Sequence, residues 1–292
     1  MDVRKEVKSG GIKPIRSLGQ NFLVDSTIAA KIVEAAELTK QDDVIEIGPG
    51  MGALTGFLCQ QARTVTAVEI DKYLIPKISE LMLPYDNFRL IHADILKVSM
   101  QDVLPERFRM NDVFAVQAIR SGLKIISNLP YYITTPVIMR FFEEGIKPEK
   151  MVFMMQREVA DRLVAKPSTK AYGALTVIVN YYAAPSRAFL VSPHCFVPQP
   201  DVDSSVVVLN VHETPPVELM DEAFFFKVVK AAFSQRRKTL INCLIHAELI
   251  AKDRKLAAEL LQNVGLSENV RGEALNIFEF AKLSNEIFKH ST

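Results

Sequence analysis

The stretch Val44-Ile45-Glu46-Ile47-Gly48-Pro49-Gly50-Met51-Gly52-Ala53-Leu54-Thr55 decides how the rest of the chain is read. Val44, Ile45 and Ile47 are β-branched and follow the turn-forming Gln41-Asp42-Asp43, the pattern of a strand entering a core. Gly48, Gly50 and Gly52 then permit backbone torsions and close approaches that a Cβ would block. From Ala53 onward, Leu54, Phe57 and Leu58 recur at helical spacing. A strand, a glycine turn and a helix in that order let a nucleotide-like ligand lie against main chain at a strand's C-terminal end.

Gly48-x-Gly50-x-x-Ala53 also matches the looser dinucleotide fingerprint. The next strand, Thr64-Val65-Thr66-Ala67-Val68-Glu69-Ile70-Asp71, ends in acids about 20 residues after the turn, where a ribose-binding carboxylate stands. Together they predict an adenosine-containing cofactor, with NAD and S-adenosylmethionine both allowed; the bland alternative is an ordinary strand–turn–helix with a surface acid. A third strand over 88–95 brings Asp94, either an acceptor for an adenine amino group or a helix cap or turn residue. Upstream, Leu18-Gly19-Gln20-Asn21-Phe22-Leu23 precedes a helix over 27–38 that Asp25 or Ser26 caps.

Composition narrows the class. The 292 residues suit one large domain, or a main domain with a smaller one. At 49% hydrophobic and 24% charged the chain reads as soluble and globular. A net charge of +1 leaves no global field for nucleic acid, so any basic surface must be local, such as the arm over 1–16. Cys59, Cys195 and Cys243 are isolated and the histidines scattered, which argues against a zinc site or a disulfide framework. With no signal-peptide core and no long apolar run, a cytoplasmic protein without a membrane partner is expected.

Further along, 73–83 reads as a helix with a break near Pro76, and 96–122 as an elaborated crossover. Leu123-Lys124-Ile125-Ile126-Ser127 is a short strand delivering Asn128-Leu129-Pro130-Tyr131-Tyr132-Ile133, after which Thr134 or Thr135 caps a helix beginning near Pro136. A strand over 152–156, a helix over 157–165, a polar loop over 167–173 and an apolar segment over 174–182, strand or helix by pattern, follow. Phe189-Leu190-Val191, the proline-stiffened Phe196-Val197-Pro198-Gln199-Pro200 and a strand over 204–211 suggest an antiparallel edge on a parallel α/β sheet. Glu213-Thr214-Pro215-Pro216 marks a linker. Helical patterns then cover 222–233, 238–249, 254–264 and 277–290, with Asp221 and Ser284 as nearby start signals. The expected division is 1–213 and 214–292.

Asn128-Leu129-Pro130-Tyr131 is the most specific signal. The lone pair of an exocyclic adenine amine is delocalised into the ring, so N6 is a poor nucleophile. Two acceptors taking its hydrogens help it become tetrahedral: the Asn128 side-chain oxygen and the Leu129 carbonyl, which Pro130 keeps aimed. Tyr131 offers a flat face to stack an extruded base, the ring and not the hydroxyl being the part that matters. The methyl donor then has only to lie in line, a positioning task without metal or covalent intermediate.

With these residues in view the chain resembles the ribosomal RNA adenine dimethyltransferases, bacterial enzymes that dimethylate two adjacent adenosines of small-subunit rRNA. The resemblance runs almost end to end, through 18–23, 46–55, Glu69-Ile70-Asp71, Asp94, 128–133, Gln156-Arg157-Glu158-Val159-Ala160-Asp161-Arg162-Leu163, 196–200 and Ala232-Phe233-Ser234-Gln235-Arg236-Arg237-Lys238-Thr239-Leu240. It implies a Rossmann-like S-adenosylmethionine-dependent methyltransferase domain over 1–213 and a small all-helical RNA-binding domain over 214–292. It further implies that the substrate adenosines lie in a hairpin loop near the 3' end of 16S rRNA, within the small ribosomal subunit, and that the enzyme is a monomer without metal. Gln20, Asn21 and Leu23 would line the cofactor site. Gly48 and Gly50 would pass beneath the methionine part, Glu69 would hold the ribose hydroxyls, Asp94 and Ile95 would meet the adenine, and Ile70 and Asn128 would also touch the cofactor. Asn21 stands where relatives often carry His. Phe196 resembles the aromatic closing the other face of the base, with core packing as its alternative role. Arg236, Arg237 and Lys238 would contact phosphates. Three rival readings stay open: a 23S rRNA adenine N6-methyltransferase of the antibiotic-resistance type, an NAD-dependent dehydrogenase, and a non-catalytic RNA-binding factor on the same fold. The block 233–238 favours the small-subunit enzyme, and no hydride-transfer arrangement is evident.

Overall fold

Nine strands and eleven helices follow one another in the described residues, 13–15, 18–109 and 120–291, of a computed structural model. They are β1 (Phe22–Leu23), α1 (Ser26–Ala35), β2 (Asp43–Ile47), α2 (Thr55–Gln61), β3 (Thr64–Glu69), α3 (Ile75–Met82), β4 (Phe88–His92) and α4 (Met100–Val103). After residues 110–119 come β5 (Arg120–Asn128), α5 (Thr134–Glu143), β6 (Pro148–Gln156), α6 (Arg157–Leu163), α7 (Ala174–Tyr182), β7 (Ala183–Val191), β8 (Phe196–Val197) and β9 (Ser204–Val211). The chain ends with α8 (Glu222–Ala232), α9 (Leu240–His246), α10 (Arg254–Asn263) and α11 (Ile277–Ser291). The basic arm expected over 1–16 lies, apart from 13–15, outside the described residues, as do 110–119 of the crossover.

Seven strands form one sheet in the order β4-β3-β2-β5-β6-β9-β7, and β1 pairs separately with β8. β2 runs parallel to both β3 and β5, and every one of its residues is buried. That is why Val44, Ile45 and Ile47 do not alternate with exposed polar residues: both faces of the strand are covered. The expected antiparallel edge is present: β9 runs antiparallel to β6, with Val152 opposite Val208. On one face, Ile32, Val33, Leu58 and Ile78 pack with Val44, Val65, Ile126 and Val152 in a shared core. From β2 the chain winds outward through β3 to β4, then returns to β5 on the other side of β2. The crevice where the strand order reverses is the natural ligand position of such a sheet.

Several local expectations are corrected. Asp25, not Ser26, caps α1, accepting from Thr27 N and Ile28 N. Pro76 does not break α3: it sits in the first turn, where its missing N–H is not needed. Neither threonine caps α5, which begins at Thr134; the Thr134 hydroxyl turns back to Pro130 O at 3.4 Å. The segment 174–182 is helical, and Thr176, Val177, Ile178, Val179 and Tyr181 are all buried. A helix covered nearly all round has no polar face from which to read its period. Ser284 starts no helix: it is buried inside α11, which Asn276 opens by accepting from Phe278 N and Glu279 N.

The division at 213/214 coincides with a unit boundary, but the helical unit takes in a second stretch of chain as well. The sheet unit runs to Ala160 and resumes over Ser186–Glu213, while Asp161–Pro185 joins the helical segment that begins at Thr214. Tyr172 Oη donates to Leu275 O at 2.6 Å, and Ser168 N to Glu273 O at 2.7 Å. The hydroxyls of Tyr181 and Tyr182 donate to the two oxygens of Glu222, and the Tyr181 ring lies 5.4 Å from that of Phe226. These contacts bind the 168–182 stretch to α8 and to the turn before α11, so the helical unit is built from two stretches of chain.

Candidate active site

An open cleft lies at the C-terminal ends of β2, β3 and β5. All the cofactor and base-binding residues expected in the sheet unit line it. Gln20, Asn21 and Leu23 come from the segment before α1, and Gly48 and Gly50 from the turn after β2. Glu69 and Ile70 close β3, and Asp94 and Ile95 follow β4. Asn128, Leu129, Pro130 and Tyr131 close β5, and Phe196 comes from β8. Arg236, Arg237 and Lys238 belong to the helical unit, exposed in the turn between α8 and α9, where Arg236 Nη2 donates to Lys170 O at 2.6 Å.

The glycine turn is a cradle that side chains would spoil. Gly48 and Gly50 have φ of +63° and +59°, and a Cβ on Gly50 would meet the Phe22 ring at 3.3 Å. Gly50 N donates to Glu69 Oε2 at 3.2 Å, and Asp71 N to Glu69 Oε1 at 2.8 Å. Burial pushes the Glu69 carboxyl above the ordinary range, although these two amides pull against it. A carboxylate offers about four acceptor positions, so each oxygen keeps room for one more donor.

Two amides divide their labour. Gln20 donates to Asp71 Oδ2 at 2.8 Å and accepts from Ile15 N at 2.7 Å, so it straps its segment to the end of β3. Asn128 Nδ2 donates to Asn21 O at 3.4 Å, leaving the Asn128 side-chain oxygen as the acceptor that the cleft can use. Asn21 Nδ2 turns to its neighbour Gly19 O at 3.2 Å. Asp94 Oδ1 caps a turn at Leu96 N, 2.9 Å away, while Oδ2 lies 3.6 Å from Lys97 Nζ. Its turn role and its place in the cleft therefore coexist. Phe196 is buried in the core opposite Leu23 and still contributes to the cleft wall. Tyr131 Oη lies 2.8 Å from Ser204 Oγ. Burial raises the Tyr131 phenol above its ordinary value, and Ser204 works against that rise.

Among the cleft residues that sequence reasoning did not assign, Glu46 and Tyr132 carry polar side-chain groups. Glu46 is buried, and burial, with the charge of Glu69 adding to it, pushes its carboxyl up to about 8. Among the described residues its Oε2 has no hydrogen-bond partner. The available signal was an acid set between Ile45 and Ile47 in an otherwise apolar strand. Tyr132 lines the cleft beside Tyr131 and is 53% exposed. Its signal was an aromatic doubled at the end of the Asn-Leu-Pro-Tyr turn.

A parallel sheet with an antiparallel edge, a glycine cradle beside a buried acid, and Asn-Leu-Pro-Tyr at the next strand end define a Rossmann-like methyltransferase of the S-adenosylmethionine-dependent class. The model of the ribosomal RNA adenine dimethylase family matches residues 13–283, and the chain belongs to that family. It is 46% identical over 271 residues to ribosomal RNA small subunit methyltransferase A of Listeria monocytogenes serotype 4b, covering 92% of this chain and 89% of the relative. To the protein of the same name from Clostridium acetobutylicum it is 44% identical over 288 residues, 99% of each chain. Among solved structures, a dimethyladenosine transferase from Plasmodium falciparum shares the fold with a TM-score of 0.76 at 24% identity, covering 91% of this chain and 97% of that one. The 23S rRNA methyltransferase ErmE superposes with a TM-score of 0.68 at 25% identity, over 92% and 100% of the two chains.

Proposed function

We propose that the protein transfers methyl groups from S-adenosylmethionine to N6 of two adjacent adenosines in a hairpin loop near the 3' end of 16S rRNA. The products are N6,N6-dimethyladenosines, and the reaction contributes to small-subunit maturation in the cytoplasm. The observation that carries this reading is Asn128, whose amide nitrogen is held by Asn21 O while its oxygen is left to the cleft. The cleft suits the cofactor: a glycine cradle that a Cβ would fill, and a buried carboxylate with spare acceptor positions.

S-adenosylmethionine, when bound, supplies an electrophilic methyl group on a sulfonium. Glu69 would accept from the ribose hydroxyls, and Ile70 would line the site beside it. Asp94 and Ile95 would meet the adenine, and Gly48 and Gly50 would offer main chain to the methionine part. Gln20 strengthens this wall indirectly by holding Asn21 and Leu23 in place. At the acceptor base, the Asn128 oxygen and the Leu129 carbonyl would accept hydrogen bonds from the N6 amino group and draw the nitrogen toward a tetrahedral shape. Leu129 N is tied to Met154 O at 3.1 Å, so its peptide is anchored on β6. Pro130 stiffens the turn, Tyr131 stacks one face of the base and Phe196 closes the other.

The small-subunit reading is favoured over the antibiotic-resistance type by the curated relatives at 46% and 44% identity, against 25% for ErmE. The helical unit, with Arg236, Arg237 and Lys238, is read as the RNA-binding part, the protein acting as a monomer. Each phosphate that the triple alanine variant no longer neutralises should flatten the log–log salt dependence of RNA binding by roughly 0.7–0.9. The deciding experiment is labelled methyl transfer to unmethylated small subunits, followed by mapping of the modified bases. Label in two adjacent adenosines near the 3' end of 16S rRNA is expected; transfer to large-subunit RNA alone would reject the reading.

A further inference from the structure

Tyr131 is held at both ends. Its backbone belongs to the turn fixed by Leu129 N on Met154 O at 3.1 Å and Ile133 N on Pro130 O at 3.2 Å. Its hydroxyl, at the far end of the ring, meets Ser204 Oγ at 2.8 Å across 73 residues of sequence. Ser204 is fully buried and opens β9, where it stands opposite Gln156 of β6. The residue before it is anchored too, since Asp203 O accepts from Arg157 N at 3.0 Å. Ser204 is not part of the cleft wall, whereas Tyr131 is. A ring attached only through its Cα–Cβ bond can swing; a ring pinned at Cα and at Oη presents one plane.

We propose that Ser204 is a positioning residue that sets the plane of Tyr131 against the target base. The proposal rests on the reading of Tyr131 as a stacking platform. Its physical basis is the rigidity of the anchor. Serine is the shortest hydroxyl side chain, it sits on a paired strand, and a buried hydroxyl is held to its partner because no water competes. The same strand end terminates the segment that begins with Phe196, the residue read as closing the opposite face of the base. One hydrogen bond therefore ties the turn bearing the first aromatic to the segment bearing the second. A reacting centre displaced by a fraction of an ångström loses rate while keeping its ligands. The expectation from sequence that the Tyr131 hydroxyl is dispensable is thereby revised.

The test is single-turnover methyl transfer to unmethylated small subunits at saturating S-adenosylmethionine, for Ser204→Ala, Tyr131→Phe and the double variant. Each single variant should slow transfer about 2- to 12-fold, the worth of one side-chain hydrogen bond. The double variant should be no slower than the slower single, because both remove the same bond. Affinities for S-adenosylmethionine and for the small subunit should stay at wild-type values, a split that a merely structural loss would not produce. Wild-type rates in both single variants would overturn the proposal, as would effects that multiply in the double variant or a loss appearing in affinity alone. Should Ser204→Ala fold poorly, Tyr131→Phe still decides, since it leaves the ring in place: a wild-type rate refutes the anchor. Wild-type protein that methylates no small subunits would defeat the functional reading itself, a different result from any of these.

Discussion

The two ends of the central strands handle buried charge in opposite ways. Where β2 and β5 begin, every acid of the cluster has a cation. Lys124 Nζ sits 3.0 Å from Asp42 Oδ2 and donates to Glu37 O at 2.7 Å, with both members of the ion pair buried. Asp43 is gripped by Arg63, Arg107 and Thr64. Burial pushes the Asp43 carboxyl up, but these hydrogen bonds outweigh it and hold the group below its ordinary value. Glu37 is paired with Lys150. Where β2 and β3 end, Glu46 and Glu69 are equally buried, with no cationic side chain bonded to them among the described residues, and both carboxyls are pushed up by burial. Charge neutralised inside the protein holds the fold together. A buried acid without a cation incurs a free-energy deficit on ionising that a ligand can relieve, as perturbed carboxyls at functional sites do.

The largest expected effect breaks the paired end. Asp42→Ala strands the Lys124 ammonium, only 4% exposed, and should remove about 3–5 kcal/mol of stability in urea unfolding. Cofactor affinity of the protein that remains folded should not change. A loss below about 1 kcal/mol would mean that the pair is solvated and that the two ends differ less than their geometry implies.

At the open end the effects should appear in function. Asn128→Ala is expected to slow methyl transfer about 100- to 1000-fold, or about 2.7–4 kcal/mol, the size for a preorganised polar group at a reacting atom. RNA affinity and unfolding midpoint should stay close to wild type, because an interaction strengthened in the transition state shows up in turnover. Equal losses in binding and rate would remove Asn128 from its proposed role.

Glu69→Ala sharpens the comparison further. It should weaken S-adenosylmethionine by about 1.5–3 kcal/mol in calorimetry, since the missing acceptor is charged. Unchanged affinity in a folded variant would count against the ribose assignment, and binding of NAD in place of S-adenosylmethionine would overturn the cofactor.

A further test at the ligand end is a slope. Folding raises the Glu46 carboxyl from 4.5 to about 8, so between those values the folded chain keeps a proton that the unfolded chain has released. The associated stability is complete below the lower value and drains away as pH rises through the upper one. Glu46→Gln should flatten that decline, so that its melting temperature gains on wild type steadily from about pH 5 to pH 8. Parallel pH profiles for the two proteins would show that Glu46 is ionised in the fold after all.

Much of this architecture was legible from residue order. The strands of the parallel sheet announce themselves as apolar runs, and the ligand end of β2 as three glycines, because burial on two faces and positive φ each demand particular residue types. The cleft residues were legible for a related reason: they sit at strand ends, where motif and position coincide. Asp94 was harder, since a turn cap and an adenine acceptor ask for the same carboxylate. The segment 174–182 gave no period because it is buried nearly all round, and the membership of 161–185 in the helical unit depends on contacts such as Tyr172 to Leu275, 103 residues apart.

By itself, then, the sequence determined the strands of the parallel sheet, the glycine cradle and the placing of Asn128 through Tyr131 at a strand end, all set by local torsions and short-range patterns. Only the tertiary structure decided which amide of the cleft is occupied by protein, as Gln20 is by Asp71 at 51 residues' separation, and which hydroxyl anchors Tyr131. It also decided which buried acids have a cation and which do not. Local patterns express torsional and burial preferences of neighbouring residues, whereas hydrogen-bond partners and local dielectric depend on what the fold brings from elsewhere in the chain.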